Sequence, residues 1–150
     1  MDNVAPILTC PADSIMPAAQ DTCGAFPIWA DVTATDDCDA SVTPTSAFQP
    51  GEFFSVGSTV VIYSATDQSG NTGICSFTIT VTEDVPPFIT GCPSDIGISL
   101  PPGDCETVAS WALPIATDNC LLDTMTSSHA PGDIFPAGTT VVTYTAVDVA

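Results

Sequence analysis

The sequence predicts an all-β protein of sandwich type, built as two tandem repeats. Three observations lead there. Short runs rich in Val, Ile, Thr and aromatic residues are separated by clusters of Pro, Gly, Asp and Asn, the punctuation of strands and turns. One run alternates apolar and polar side chains with a period of two. No stretch combines helical periodicity with capping residues.

In chain order, residues 23–29 read as a strand carrying Trp29. Residues 59–66, TVVIYSAT, form a second strand, and 67–71, DQSGN, a turn. In residues 74–81, ICSFTITV, Ile74, Ser76, Thr78 and Thr80 alternate with Cys75, Phe77, Ile79 and Val81. Successive side chains of a strand point to opposite faces, so the second set faces a core. Residues 105–113 repeat the Trp strand with Trp111, and 139–147 repeat the strand at 59–66.

The repetition is systematic. ATDDC at 34–38 recurs as ATDNC at 116–120, and Cys10 recurs as Cys92 at an offset of 82 (92 − 10). Cys23 and Cys105, Trp29 and Trp111, and Cys38 and Cys120 share that offset. Past Cys38 it falls to 81: Pro50-Gly51-x-x-Phe54 becomes Pro131-Gly132-x-x-Phe135, and Tyr63-x-Ala65-x-Asp67 becomes Tyr144-x-Ala146-x-Asp148. Two modules are expected, at 1–84 and 85–150, the second C-terminally incomplete. A unit of this length suits a string of small domains rather than a solenoid.

Composition bounds the function. The chain is 45% hydrophobic, enough to fold, but each repeat is near the lower size limit for a self-sufficient core and needs staples. Seven cysteines supply them. No Cys-x-x-Cys occurs and the spacing matches no zinc motif, so disulfides and an extracellular or cell-surface location are expected. Lys plus Arg is zero against 18 Asp plus Glu, a formal net charge of −18. Nothing neutralises phosphate, which excludes nucleic acid, and anionic membrane surfaces repel the chain. Cations, sugars and further copies of the same repeat remain as partners. No export signal and no apolar run long enough to span a membrane is visible, so a mature form or an excised piece of a longer chain is expected.

Catalysis is not expected. The single histidine, His129, lies in a Ser-Ser-His-Ala-Pro turn with no second histidine or lysine to complete a site, and reads as a surface-loop residue. No cofactor is required. Calcium is the exception worth weighing. Asp36, Asp37 and Asp39 crowd one loop, Asp118 and Asp123 its copy, and Asp67 the strand turn, all hard oxygen donors with no basic residue to pair them. The competing reading is that these Asp residues serve as turn formers bonding their own backbone. Asp13-Ser14-Ile15 and Asp123-Thr124-Met125 resemble a short O-glycosylation signal of some bacterial surface proteins, making Ser14 and Thr124 candidates beside the plain reading of strand surface.

Ile-x-x-Cys-Pro-x-Asp, the Trp strand, Ala-Thr-Asp-(Asp/Asn)-Cys, Pro-Gly-x-x-Phe, Gly-(Ser/Thr)-Thr-Val, Tyr-x-Ala-x-Asp-x-x-Gly-Asn and Cys-x-Phe-x-Ile-x-Val together resemble the hyalin repeat (HYR) family. The resemblance implies tandem immunoglobulin-like modules of long extracellular proteins, working in adhesion and spacing. In an immunoglobulin-like sandwich first and last strands run side by side, which implies a Cys10–Cys75 disulfide. Cys23–Cys38 and Cys105–Cys120 are then expected to tie each Trp strand to its acidic loop. The offset places the counterpart of Cys75 at about position 156, past Ala150, so the partner of Cys92 is expected outside this segment. A strand from a longer chain or from a neighbouring subunit would complete repeat two. The function expected is a structural, adhesive module of a surface protein or filament; the alternative is a module binding a glycan or a Ca²⁺-dependent ligand.

Overall fold

A computed structural model describes residues 2–149. The chain divides between Asp84 and Val85 into two compact units, and both are all-β.

The first unit contains β1 (Ile7–Thr9), β2 (Ser14–Pro17), β3 (Gly24–Ala25), β4 (Thr33–Thr35), β5 (Thr45–Ser46), β6 (Phe54–Ser55), β7 (Gly57–Thr66) and β8 (Thr72–Thr82). The long strands follow from unbroken β-branched and aromatic runs, and β7 and β8 pair antiparallel from Gly57↔Val81 to Thr66↔Thr72. The turn between them is built by its own residues. The Asp67 N–H donates to the Asn71 carbonyl at 3.0 Å, and Gly70 takes φ 92°, a left-handed conformation open to glycine without strain. β5 extends this sheet on one side of β7, and β2 pairs in parallel on the far side of β8, Ser14↔Ile79 to Pro17↔Thr82. Two short antiparallel pairs, β1 with β4 and β3 with β6, make up the rest.

The period-two reading of β8 is realised: Phe77, Ile79 and Val81 are buried at 3%, 1% and 2% exposure, while Ile74 is 71% exposed. Val61, Tyr63 and Ala65 are buried from β7, joined by Ala18, Ala25 and Phe54. Trp29 packs edge-on against Phe54 and Phe77, at centroid distances of 6.0 and 5.4 Å. Trp29 itself is not in a strand. The segment 23–29 pairs only over Gly24–Ala25, because Pro27 cannot donate a ladder hydrogen bond; its carbonyl is instead taken by Gly51 N–H at 2.7 Å.

The second unit contains β9 (Phe88–Thr90), β10 (Glu106–Val108), β11 (Ile115–Thr117), β12 (Leu122–Ser127), β13 (Ile134–Pro136) and β14 (Tyr144–Asp148). Its pairs are β9 with β11, β10 with β13 and β12 with β14. Two registers reproduce the first unit residue for residue. Thr107↔Phe135 stands where Ala25↔Phe54 does, and Ser127↔Tyr144 where Ser46↔Tyr63 does. Two elements are shorter than the sequence predicts. The second Trp strand covers only Glu106–Val108, and the strand expected over 139–147 begins at Tyr144. The counterparts of residues 139–142 in the first unit, 58–61, are held by Thr80, Ile79, Thr78 and Phe77 of β8, and among the described residues no such strand stands beside 139–142.

The cores differ accordingly. Phe54, Val61 and Tyr63 are buried, whereas Phe135, Val142 and Tyr144 are half-buried. Among the described residues of the second unit only Pro114 is fully buried. No helix is long and apolar enough to cross a membrane.

Candidate functional site

Three sets of residues carry chemistry: the cysteines, the acidic loops, and the apolar face of the second unit.

Cys10 and Cys75 are disulfide-bonded, with Cα atoms 5.9 Å apart across 65 residues. The other two expected bridges are not formed: Cys38 and Cys105, like Cys92, are free and exposed. The reason is distance. The Cys23 carbonyl accepts the Val56 N–H at 3.3 Å, beside the Gly57 end of β7. Cys38 lies at the other end, where Asp36 meets Asp67, the residue after β7. Ten strand residues separate those ends, about 30 Å at roughly 3.3 Å per residue, whereas a disulfide tolerates about 7 Å between Cα atoms. The second unit repeats the arrangement. Cys105 accepts the Ala137 N–H at 2.8 Å, while Cys120 sits beside Leu122, which pairs with Asp148. Cys23 and Cys120 are both disulfide-bonded.

The acidic loops serve as turn formers first. Asp36 Oδ1 accepts the N–H groups of Cys38 and Asp39, each at 3.0 Å, and Asp118 Oδ1 accepts that of Cys120 at 2.8 Å. Asp39 Oδ2 accepts Gln68 N–H at 2.7 Å. Asp67, 7% exposed, takes Asn71 N–H on one oxygen at 2.8 Å and Asn71 Nδ2 on the other at 2.7 Å. Burial pushes its carboxyl up. The hydrogen bonds from the Asn71 side chain and from the backbone of Asn71, Ser69 and Gly70 outweigh that and hold it below the usual carboxylate value.

Turn formation leaves oxygens over. Asp2, Asp36 and Asp67 bring one carboxylate oxygen each within 4.8 Å of one another, and Asp2 Oδ2 and Asp36 Oδ2 are buried without a hydrogen-bond partner. Three clustered hard oxygens with two unsatisfied are the donor chemistry of Ca²⁺. Asp37 and Cys38 join Asp2 in a second, overlapping group. The field of Asp2, then Asp37, raises the Cys38 thiol. Asp2 was invisible to sequence reasoning, since it is distant in sequence from the loop it joins. In the second unit Asp118 Oδ2 is likewise buried and unpartnered, but Asp123 is exposed and stands in no such cluster among the described residues.

The third set is a cavity of about 1000 Å³ in the second unit. Its walls include Cys92, Trp111, Phe135, Val142 and Tyr144. Their counterparts, Cys10, Trp29, Phe54, Val61 and Tyr63, all belong to or pack on the first unit's core. There β8 fills the corresponding space with Phe77, Ile79 and Val81.

The remaining candidates are quickly placed. His129 is half-buried, its ring 5.1 Å from that of Phe135 and its Nδ1 3.1 Å from Ser128 Oγ. Ser14 is half-buried in β2, and Asp13 before it accepts the Thr78 N–H at 2.7 Å; Thr124 is exposed on β12.

Comparison with known proteins gives a consistent picture. The model of the HYR domain matches residues 1–81 and again 83–150. Hyalin from Lytechinus variegatus is 37% identical over 155 residues, covering 99% of this chain and 29% of that protein. Hyalin from Strongylocentrotus purpuratus is 34% identical over 148 residues, 96% of this chain and 12% of that protein. The sushi, von Willebrand factor type A, EGF and pentraxin domain-containing protein 1 of Mus musculus is 39% identical over 150 residues, 98% of this chain and 4% of that protein. The chain thus spans less than a third of each of these relatives. No solved structure matches it.

Proposed function

The chain belongs to the HYR domain family, and from that premise we propose that it is a non-catalytic, cohesive building unit of an extended extracellular array. The extracellular or cell-surface location follows from the family and agrees with the disulfide chemistry. The relatives are much longer proteins, which supports adjacent repeats as the context of this one.

One observation carries the cohesive role. The apolar face that β8 covers in the first unit is open in the second, although its walls are the same residues. A strand of the β8 type, supplied by the next stretch of a longer chain or by another copy, would pair with residues 139–142 as Thr80, Ile79, Thr78 and Phe77 pair with Ser58, Thr59, Val60 and Val61. It would also place three apolar side chains in the cavity, at about 1.5–3 kcal/mol each when fully buried. The test is a peptide of residues 72–82, with serine at the Cys75 position, added to the intact chain. The expected result is saturable binding with new hydrogen-exchange protection at residues 139–142. No binding, with residues 139–142 unprotected throughout, overturns the proposal.

A second reading is favoured by the unsatisfied oxygens of Asp2 and Asp36: Ca²⁺ bound between Asp2, Asp36 and Asp67 would tie the amino-terminal segment to the acidic loop and the β7–β8 turn. This role would be structural and compatible with the first. Glycan binding has less support, because Trp29 packs on the first unit's core and both Trp29 and Trp111 commit their indole N–H to a tyrosine.

A further inference from the structure

We propose that the outer face of the first unit's four-stranded sheet is a lateral contact surface that packs against the same face of a second copy of this chain. The inference concerns the first unit alone and goes beyond the strand-addition reading, which concerns the second.

A sheet covered on one side turns alternate residues to water, and polar side chains are expected there. The sheet of β2, β8, β7 and β5 departs from that rule at four places. Val60 and Ile62 of β7, Ile74 of β8 and Ile15 of β2 point outward, at 54%, 55%, 71% and 75% exposure. Ile62 stands opposite Ser76, one diagonal step from Ile74, and Val60 follows on the same side of β7, so three branched side chains form one stripe. Ile15 stands beside Thr80 on the other flank of β8.

Much of the remaining face is hydroxylic and already bonded within itself. Ser58 Oγ and Thr80 Oγ1 are 3.1 Å apart, Thr66 Oγ1 and Thr72 Oγ1 are 2.9 Å apart, and Thr45 Oγ1 donates to the Ser64 carbonyl at 3.3 Å. These groups can leave water and keep a hydrogen bond, which lowers the main cost of covering a polar surface. β7 and β8 pair without a bulge from Gly57↔Val81 to Thr66↔Thr72. The surface is therefore regular enough for a second sheet to lie on it at about 10 Å.

Charge selects the occupant. None of the outward positions of β2, β5, β7 and β8 is ionisable, although the chain carries 18 Asp plus Glu and no Lys or Arg. A basic partner is drawn to the carboxylates elsewhere and finds no counter-charge here. A second copy carries the same formal charge of −18, and on this face it can approach without setting carboxylate against carboxylate. Asp13, just before β2, and Asp84, just after β8, mark the rim, where they accept the Thr78 N–H at 2.7 Å and the Thr82 hydroxyl at 3.0 Å. Ten residues of β7 at about 3.3 Å each and four strands about 4.8 Å apart bound the face at roughly 600 Å² per partner. Two such faces cover about 1,200 Å², the lower limit of specific interfaces. One contact is therefore weak, and it gains strength where several are made together.

The test is sedimentation equilibrium of the intact chain at about 0.1–1 mM, the range of weak interfaces. Cys38→Ser, Cys92→Ser and Cys105→Ser are combined as background, so that no free thiol joins copies. The expected result is a mass rising from 15.3 kDa towards twice that value. Association is expected to tighten about threefold or more as salt is raised, because screening relieves the repulsion between rims. Ile62→Asp is expected to weaken it about tenfold, and Ile62→Thr, which keeps the branched shape and adds no charge, about threefold. Ile28→Asp adds the same charge at a position 83% exposed outside this sheet, and is expected to change it less than about twofold. Near-UV circular dichroism checks that each variant is folded. The inference is overturned if the chain stays monomeric throughout, if salt weakens the association, or if Ile28→Asp matches Ile62→Asp. Association that the peptide of residues 72–82 abolishes and Ile62→Asp leaves intact is strand addition, which removes the lateral contact and leaves the other reading standing.

Discussion

The indole N–H of Trp29 donates to the hydroxyl of Tyr63 at 3.1 Å, and Trp111 repeats the bond to Tyr144 at 2.7 Å. The first pair is anchored in the core, where Tyr63 is 8% exposed. Tyr63→Phe strands the indole N–H away from water and is expected to cost about 1–2 kcal/mol in urea unfolding. Tyr144→Phe, in the open unit, is expected to cost less than about 0.5 kcal/mol, because water replaces the lost partner.

Phe77 stacks on Tyr63 and meets Trp29 edge-on, with 3% of its surface exposed. Phe77→Ala is expected to destabilise the first unit by about 3–5 kcal/mol. Ile74→Ala, on the outer face of the same strand, is expected to stay within about 0.5 kcal/mol. Equal effects in a denaturation series would contradict the assignment of the two faces of β8.

The Cys10–Cys75 bridge closes a loop spanning 65 residues. By loop entropy the Cys10→Ala, Cys75→Ala pair is expected to lose about 4 kcal/mol, read as a drop in the urea midpoint.

Asp67 has a folded-state carboxyl held below its ordinary value of 3.8. Its contribution to stability is therefore complete above that value and is lost as pH falls below it, because the unfolded chain binds the proton first. With chelator present, stability of the native chain is expected to fall with acid below about pH 4, and Asp67→Asn to flatten that slope. Unchanged slopes in the variant would show that other carboxylates dominate.

Ca²⁺ at Asp2, Asp36 and Asp67 would bind the folded state alone, so the melting temperature is expected to rise with millimolar Ca²⁺ and return with chelator. Asp36→Asn is expected to abolish the rise. A melting curve indifferent to Ca²⁺ removes the reading.

Much of the fold was legible because local rules sufficed. The alternation Cys75, Phe77, Ile79, Val81 named the inner face of β8 correctly, and DQSGN encoded its own turn through Asp67, Gly70 and Asn71. The Trp segments were over-read as strands, since Pro27 ends the pairing that the apolar run promises. The acidic cluster was half legible. Asp36 and Asp67 were flagged by residue type, but Asp2 reaches them only through the folded path of the chain.

The sequence by itself determined that this protein is all-β, that it repeats itself, and which face of β8 turns to the core. These are consequences of strand periodicity and of fixed offsets between landmarks, and both are local quantities. The family resemblance implied Cys10–Cys75, which the structure forms, but only the tertiary structure decided that Cys38 and Cys105 do not take the expected partners. Composition calls for staples and counts the thiols, but a disulfide requires two sulfurs within bonding distance. The length of β7 puts Cys23 and Cys38 at opposite ends of one unit. The same three-dimensional arrangement decided that the residues burying Val61 leave Val142 half-open, because burial depends on the strand alongside and not on the residue buried.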